Sequence, residues 1–91
     1  MAKFLVVHPV GKELTVESAT PIAKAMKANL NVDAYWVKSF YVRGEGKLYC
    51  EWDAKDEKSI RGVLAKAAPN LPTEGIYVLE NELMVFSELF R

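Results

Sequence analysis

The sequence predicts an α+β domain of the ferredoxin-like type, in which the elements follow one another as β-α-β-β-α-β. Residues 34–54 hold two segments rich in β-branched and aromatic residues, separated by a glycine-containing turn at residues 44–46, which is typical of a β-hairpin. Two further β-type segments, residues 3–8 and 75–80, flank the hairpin, each beyond a segment with helical spacing. Right-handed crossovers then place both helices on one face of a four-stranded antiparallel sheet and leave its other face open.

Composition and charge restrict the class of protein. The 91 residues make one domain, with a core at residues 3–80 and an apolar C-terminal extension at residues 81–91. Twelve basic residues balance twelve acidic ones, so no basic excess indicates a nucleic-acid partner. The single cysteine gives no internal disulfide, and the N-terminal apolar run is too short for a signal peptide or a membrane span. We therefore expect a cytoplasmic protein that binds neither nucleic acid nor membrane.

The first strand and the first helix follow from local signals. Residues 3–8 (KFLVVH) are apolar on both faces and are bounded by Pro9 and Gly11, which predicts a central strand. Thr15 or Ser18 can cap the helix that follows. Pro21 costs roughly 3 kcal/mol deep inside a helix, because it lacks an amide proton and crowds the preceding turn. The sequence therefore predicts a helix that starts near residues 18–20 or kinks there.

The second helix and the fourth strand are predicted in the same way. Asp53 or Asp56 supplies the N-cap of the helix. Four apolar residues behind it recur at positions i, i+3, i+4 and i+7, namely Ile60, Val63, Leu64 and Ala67. Pro69 and Pro72 end the helix, since a residue before proline is pushed out of the helical region. Residues 75–80 (GIYVLE) then form the fourth strand.

The register of the hairpin follows from centring its loop on Gly44 and Glu45. Val42 then pairs with Lys47, and the register continues to a pairing of Val37 with Trp52. Because side chains alternate between faces, the face that we expect the helices to cover carries Tyr35, Val37, Ser39, Tyr41, Leu48, Cys50 and Trp52. The open face carries Trp36, Lys38, Phe40, Val42, Lys47, Tyr49, Glu51 and Asp53. A bulge in the turn would exchange the faces for one strand.

The aromatic residues of the open face predict a homodimer. Trp36, Phe40 and Tyr49 form a patch too apolar to leave exposed on a monomer, and a symmetric second subunit is the commonest cover. The extension at residues 81–91 supports the same interpretation. It concentrates six apolar side chains, which we expect to pack on the partner subunit: Leu83, Met84, Val85, Phe86, Leu89 and Phe90.

Few residues suggest chemistry. His8, the only histidine, lies at the end of the first strand and could act as a general base, because its unperturbed pKa is near 6.5. Together with Cys50 and Glu51 it could instead ligate a transition metal such as nickel, although no close-spaced ligand pair supports such a site. The simpler expectation is a hydrogen-bonded histidine and a buried cysteine that behaves as a small hydrophobe.

Five residues are candidates for binding a small ligand: Tyr35, Trp36, Lys38, Cys50 and Tyr77. Trp36 and Lys38 belong to a polar and aromatic patch that could equally form a dimer interface. Tyr35 and Tyr77 could line a cleft between sheet and helices, together with Tyr41 and Trp52, or simply belong to the core.

The hairpin and its surroundings also resemble a family of small bacterial proteins catalogued as a domain of unknown function, one member of which binds nickel. The matching pattern is a Trp and a Ser in the second strand, a glycine turn, an aromatic residue before Cys in the third strand, a helix start and a final Ile-x-Val strand. In this sequence these positions are Trp36, Ser39, Gly46, Tyr49, Cys50, Ala54, Ile60 and residues 76–78. The resemblance covers residues 3–80.

The resemblance implies a ferredoxin-like subunit that assembles as a dimer, similar to dimeric α/β-barrel proteins. The chain departs from the family pattern at two places. Lys55 replaces a proline at the start of the second helix, and Leu64 and Ala67 or their neighbours stand where many relatives have histidines.

Three functional hypotheses follow. In the first, a homodimer binds a small ligand or a transition-metal ion in a cleft lined by His8 and hairpin residues. In the second, the chain is a monooxygenase or isomerase of the dimeric α/β-barrel type with His8 as its base. In the third, it is an interaction module without small-molecule chemistry.

Overall fold

Four strands, two α-helices and one 3₁₀ helix make up the described part of the chain. The computed structural model describes residues 1–80 and 84–90. Its elements are β1 (Ala2–Pro9), α1 (Val16–Ala28), β2 (Ala34–Val42), β3 (Lys47–Ala54), α2 (Glu57–Ala67), β4 (Gly75–Leu79) and a terminal 3₁₀ helix (Ser87–Phe90). The strands lie in the order β2-β3-β1-β4, and each neighbouring pair is antiparallel. The predicted ferredoxin-like βαββαβ fold is confirmed.

The core lies between the sheet and the two helices. β1 is central, as predicted, since it pairs with β3 on one side and β4 on the other. Phe4 and Val6 of β1 are buried with Trp52 of β3 against the apolar side of α2. That side consists of the residues that the helical spacing indicated, Ile60, Val63 and Leu64, with Ala67 packed against them.

Each helix begins at a side-chain cap. Thr15 caps α1 in a capping box: its hydroxyl accepts a hydrogen bond from the Ser18 amide, and the Ser18 hydroxyl accepts one from the Thr15 amide. Thr15 was one of the two predicted caps. The helix therefore begins at Val16 with Pro21 inside it, so of the two predicted alternatives the start near residues 18–20 is wrong and a kink there stays a prediction. Asp56 caps α2 by accepting a hydrogen bond from the Ser59 amide.

The hairpin register is confirmed from Val42–Lys47 to Lys38–Glu51, but a β-bulge between Trp36 and Lys38 changes the rest. Trp36 pairs with Trp52, where the regular register had placed Val37. A bulge adds one residue to one strand and so exchanges the faces beyond it. The prediction that Trp36 lies on the open face was therefore wrong: it packs against the core, and Tyr35 leaves the helix-covered face.

The open face carries both charged and apolar side chains. Lys3 lies between two carboxylates, 2.7 Å from Glu51 Oε2 and 2.9 Å from Asp53 Oδ1. The hydrogen bonds that Lys3 donates to Glu51 and Asp53 raise its pKa. Five large apolar or aromatic residues of this face are between 36% and 57% exposed, namely Tyr35, Phe40, Val42, Tyr77 and Leu79. Phe40 is among them, as predicted.

The C-terminal extension exposes its apolar side chains where the structure describes it. Met84, Val85, Phe86, Leu89 and Phe90 are all exposed. Leu83, which we expected to pack on a partner subunit, lies outside the described residues. No helix in the described ranges is long and apolar enough to cross a membrane.

Candidate functional site

A cavity of about 130 Å³ lies between α1 and the sheet. Its floor is the helix-covered face of the sheet, where His8, Trp36, Ser39, Leu48, Cys50 and Trp52 lie. Its other walls come from α1, from the segment before it and from the segment after α2, through Val10, Leu14, Ala19, Ile22, Ala23, Met26 and Leu71. Most of these side chains are apolar, so the surface of the cavity is mainly apolar.

The cavity exists because α1 is only partly packed on the sheet. Met26, near the C-terminal end of α1, is its only buried residue among those described, whereas α2 buries Ile60, Val63 and Leu64. Ile22 and Ala23, one turn before Met26, face the cavity and are only half-buried. The short side chains of Ala19 and Ala23 leave the space that larger ones would fill.

His8 is the fully buried polar residue of the cavity wall. Its Nδ1 lies 3.0 Å from the carbonyl oxygen of Pro72 and 3.3 Å from Oγ1 of Thr73. A carbonyl oxygen only accepts hydrogen bonds, so Nδ1 carries the proton and donates it to Pro72. Burial lowers the pKa of His8, and the hydrogen bond to Pro72 opposes that shift only in part. The ring is therefore neutral at pH 7, with an unprotonated Nε2.

Two buried nitrogen atoms of this wall have no hydrogen-bond partner in the described part of the chain. They are Nε2 of His8, an acceptor, and Nε1 of Trp52, a donor. Buried polar atoms are normally paired, and leaving one unpaired costs about 1–3 kcal/mol. Both belong to residues behind the cavity wall, but neither nitrogen atom is accessible from the cavity, whose surface is almost entirely apolar.

Trp36, Ser39 and Cys50 form a hydrogen-bonded chain along the cavity floor. Trp36 Nε1 donates to Ser39 Oγ over 2.8 Å, and Ser39 Oγ donates to Cys50 Sγ over 2.9 Å. This chain satisfies the indole that the bulge turns inward. Burial raises the pKa of the Cys50 thiol to about 11, although the Ser39 hydrogen bond acts in the opposite direction. Cys50 is therefore a neutral thiol at pH 7 and a poor nucleophile.

A groove on the surface adjoins the cavity. It runs between the beginning of α1 and the segment after α2, and it shares Val10, Leu14, Ile22 and Leu71 with the cavity wall. A ligand could therefore enter beneath the first turns of α1.

The structure brings only some of the predicted site residues together. His8, Trp36 and Cys50 line the cavity. Lys38 and Tyr77 lie on the open face, where Lys38 is 4.0 Å from Glu51 and the Tyr77 ring lies over Gly75. Tyr35, at the edge of the sheet, accepts a hydrogen bond of 3.2 Å from Lys27.

The three predicted metal ligands do not meet in one chain. Glu51 follows Cys50 in β3 and so points to the opposite face, where it binds Lys3. His8 and Cys50 remain on the cavity side, and the thiol of Cys50 is held protonated. Within residues 1–80 and 84–90 no group of three His, Cys, Asp or Glu side chains is arranged to hold a metal ion. This donor set does not fit a resident nickel ion.

Sequence reasoning named no residue of α1 as part of the site. The helical spacing of Ile22, Ala23 and Met26 was available as a signal, because residues that recur in this way share one helix face. The spacing did not predict that a gap would remain between that face of α1 and the sheet. Trp52, considered for the cleft, does line the cavity.

Comparison with known proteins places the chain in a family. A family model described as nickel responsive protein SCO4226-like matches residues 4–78. The chain therefore belongs to the SCO4226-like family of small α+β proteins, and the family resemblance seen in the sequence is confirmed.

The fold of the chain is also similar to that of a solved structure. The crystal structure of SCO4226 from Streptomyces coelicolor A3(2) superposes with a TM-score of 0.74 and 16% sequence identity, covering 86% of this chain and 95% of that one. At this identity the likeness supports the fold. No curated protein matched the chain in a sequence search.

Proposed function

We propose that this protein binds a small, mainly apolar molecule in the cavity beneath α1. The observation that carries the proposal is the size and lining of that cavity, about 130 Å³ with mostly apolar walls. An apolar protein cavity of about 150 Å³ is known to accept benzene. The cavity of this chain is therefore of the size that a six-membered ring fills, and the adjoining groove provides a path to it.

The cost of the cavity favours a binding site over imperfect packing. Residual cavities destabilise proteins by about 24 cal/mol per Å³, so an unfilled cavity of 130 Å³ would cost about 3 kcal/mol. A domain is typically stable by only about 5–15 kcal/mol. Larger residues at Ala19 or Ala23 would remove this cost, and the small ones keep the space open.

The chain carries its own reporter for the test. Both of its tryptophans, Trp36 and Trp52, line the cavity, so their fluorescence should change when a ligand enters. We expect benzene, toluene or phenol to change the emission and to raise the melting temperature. A ligand at 100 times its Kd should stabilise the fold by about 2.7 kcal/mol.

A matched pair of variants separates the cavity from other sites. Ala23→Leu should fill the cavity and abolish binding, whereas Ala28→Leu, on an exposed position of the same helix, should leave it unchanged. A wild-type protein that responds to none of the three compounds would contradict the proposal and favour an interaction module.

Nickel is the alternative that the family description suggests. The described donors do not form a site for it, so we propose that the cavity takes an apolar ligand rather than a metal ion. Nickel titration followed by melting temperature tests this. A stabilisation that His8→Asn removes would contradict our assignment of the cavity.

A second candidate function is supported by the tautomer of His8. The Nδ1 proton is donated to the Pro72 carbonyl, which leaves Nε2 unprotonated and unpaired, as a general base requires; because Nε2 is fully buried, the imidazole would have to shift to reach a substrate in the cavity. This would suit a monooxygenase or isomerase acting on a ring compound. Oxygen consumption with phenolic or quinol substrates tests the former, and a rate unchanged by His8→Ala would contradict a role for His8.

We also propose that the open face is the interface of a cytoplasmic homodimer. Five exposed apolar or aromatic side chains of this face support it, from Tyr35 to Leu79. The charges among them cancel, because Lys3 and Lys38 are matched by Glu51 and Asp53. A face with paired charges can be covered without burying an uncompensated ion. Sedimentation equilibrium should give twice the 10.2 kDa mass of the chain, and a monomer at all concentrations would contradict this assembly.

A further inference from the structure

We infer that the ligand is an uncharged compound with an apolar ring at one end and its polar groups at the other, and that it binds with the ring inside the cavity. This rests on the proposed function, because it specifies the class and the orientation of the compound that occupies the same cavity. Two observations carry it. The polar groups of the cavity wall are not available to a ligand, and the surface groove adjoins one end of the cavity.

The polar groups of the cavity wall are either paired with one another or out of reach. Trp36 Nε1 donates to Ser39 Oγ over 2.8 Å, and the same hydroxyl donates to Cys50 Sγ over 2.9 Å. Nε2 of His8 and Nε1 of Trp52 have no partner among the described residues, but both atoms are fully buried, so a ligand in the cavity does not touch them. The surface that a ligand meets is therefore almost entirely apolar.

This apolar surface determines which part of a ligand can enter the cavity. A hydroxyl group placed inside would lose its hydrogen bonds to water and gain no replacement, whereas a hydrocarbon ring gains contact with the wall. A charged group would be disfavoured more strongly. The described residues that line the cavity and the groove include no lysine, arginine, aspartate or glutamate, so a charge finds no partner in either place.

The groove provides the place for the polar end of the ligand. The residues that it shares with the cavity wall are Val10, Leu14, Ile22 and Leu71. This end of the cavity lies near His8, because Pro9 of the groove follows it directly. The other end lies at Trp52, which pairs with a residue of β1 that is four positions, or about 13 Å, from His8. Ser18 and Asn70 of the groove are exposed, so a polar substituent there remains in contact with water.

The test compares styrene glycol with tyrosol, two isomers that differ in where their two hydroxyl groups lie. Styrene glycol carries both on its tail and leaves the ring bare, whereas tyrosol carries one at each end and must bury one in either orientation. Calorimetry gives the Kd of each for the wild-type chain, and toluene tests the cavity itself. We expect styrene glycol to bind at least about fivefold more tightly than tyrosol, which corresponds to about 1 kcal/mol for one hydroxyl group left without a partner.

The outcomes separate this inference from the proposed function. If toluene binds but the preference for styrene glycol is less than about fivefold, or is reversed, this inference fails while the proposed function stands. The same conclusion holds if toluene binds and neither isomer does. If toluene does not bind, the proposed function fails and this inference fails with it.

Nuclear Overhauser effects in the wild-type chain measure the orientation directly, without any substitution. Met26 and Trp52 line the cavity and not the groove, whereas Leu14 and Leu71 line both. The ring protons of bound styrene glycol should therefore show contacts with the Met26 methyl group and the Trp52 indole. Its tail protons should show contacts with the methyl groups of Leu14 or Leu71. The reverse pattern, or a ring in contact with the two leucines alone, would overturn the proposed orientation.

Discussion

His8 shows how much one buried side chain can depend on its surroundings. It is the only histidine in the chain and is fully buried, with one ring nitrogen hydrogen-bonded to Pro72 and the other without a partner among the described residues. Its rarity singled it out in the sequence, but its partner is 64 positions away, in a segment that sequence reasoning treated only as the end of a helix. Which nitrogen is free could not be predicted, because it depends on that tertiary contact.

The first prediction at this scale concerns pH. Because burial lowers the pKa of His8 in the folded state, the unfolded chain binds more protons between that pKa and about 6.5. Stability should therefore fall as the pH drops below about 6.5, by at most about 1.4 kcal/mol per pH unit, and level off below the folded pKa. Urea unfolding between pH 8 and pH 5 measures this. His8→Asn should lack this part of the pH dependence, and an identical slope in both proteins would contradict the explanation.

The second prediction concerns Cys50. Burial raises the pKa of its thiol from 9.0 to about 11, so at a given pH the native chain holds about 100-fold less thiolate than the unfolded one. A thiol-specific reagent at pH 8 should modify native Cys50 at least about 100-fold more slowly than the urea-unfolded chain. Rapid modification of the native protein would mean that the thiol is accessible and activated.

At the level of elements, local signals predicted most of the fold. The capping residues, the spacing of Ile60, Val63 and Leu64, and the turn near Gly46 all lie within a few residues of the structure that they specify. The two failures have one cause. The start of α1 depends on an energy difference of about 1–3 kcal/mol between a cap and a proline inside the helix, and the bulge in β2 accompanies the tertiary packing of Trp36 against the core, so neither can be read from neighbouring residues alone.

The turn of the hairpin provides the third prediction, because its two glycines differ in backbone conformation and in the space around them. Gly46 has a φ of +67°, and a Cβ there would lie 3.0 Å from the Gly11 backbone. Its carbonyl also accepts the amides of Val10 and Gly11, both at 2.9 Å. Gly46→Ala should therefore cost about 1–3 kcal/mol.

Gly44→Ala is the matched control. Gly44 has no positive φ, and a Cβ there meets nothing within 4 Å among the described residues. Its replacement should be neutral or stabilise by up to about 1 kcal/mol. Urea unfolding of both variants measures the difference, and equal losses would show that the φ of Gly46 carries no strain.

For the whole molecule, the two faces of the sheet have different tasks in our proposals. The helix-covered face holds the core and the cavity, and the open face holds paired charges with exposed apolar side chains. The sequence predicted this division correctly for Phe40 and Tyr49, but not for Tyr35 and Trp36, which lie beyond the bulge. Local sequence patterns do not determine whether the chain forms a dimer, because that depends on how a second copy fits the open face.

The fourth prediction tests that assembly through its effect on stability. If the native state is a dimer, the melting temperature rises with protein concentration. Phe40→Glu, on the open face, should abolish this dependence. Val16→Glu places the same charge on an exposed residue of α1 and should preserve it. A wild-type melting temperature that is independent of concentration would contradict the dimer.

The bulge near Val37 has a consequence for how this protein can change over evolution. The additional residue in β2 determines whether Tyr35 or Trp36 faces the interior, because adding or removing one residue exchanges the two faces of the strand. Losing that residue would turn the Trp36 indole out to solvent and remove it from the Ser39 and Cys50 network, with no change in the identity of any remaining residue. A single in-frame codon deletion could thus change which side chains line the cavity, whereas a point substitution changes one side chain at a time.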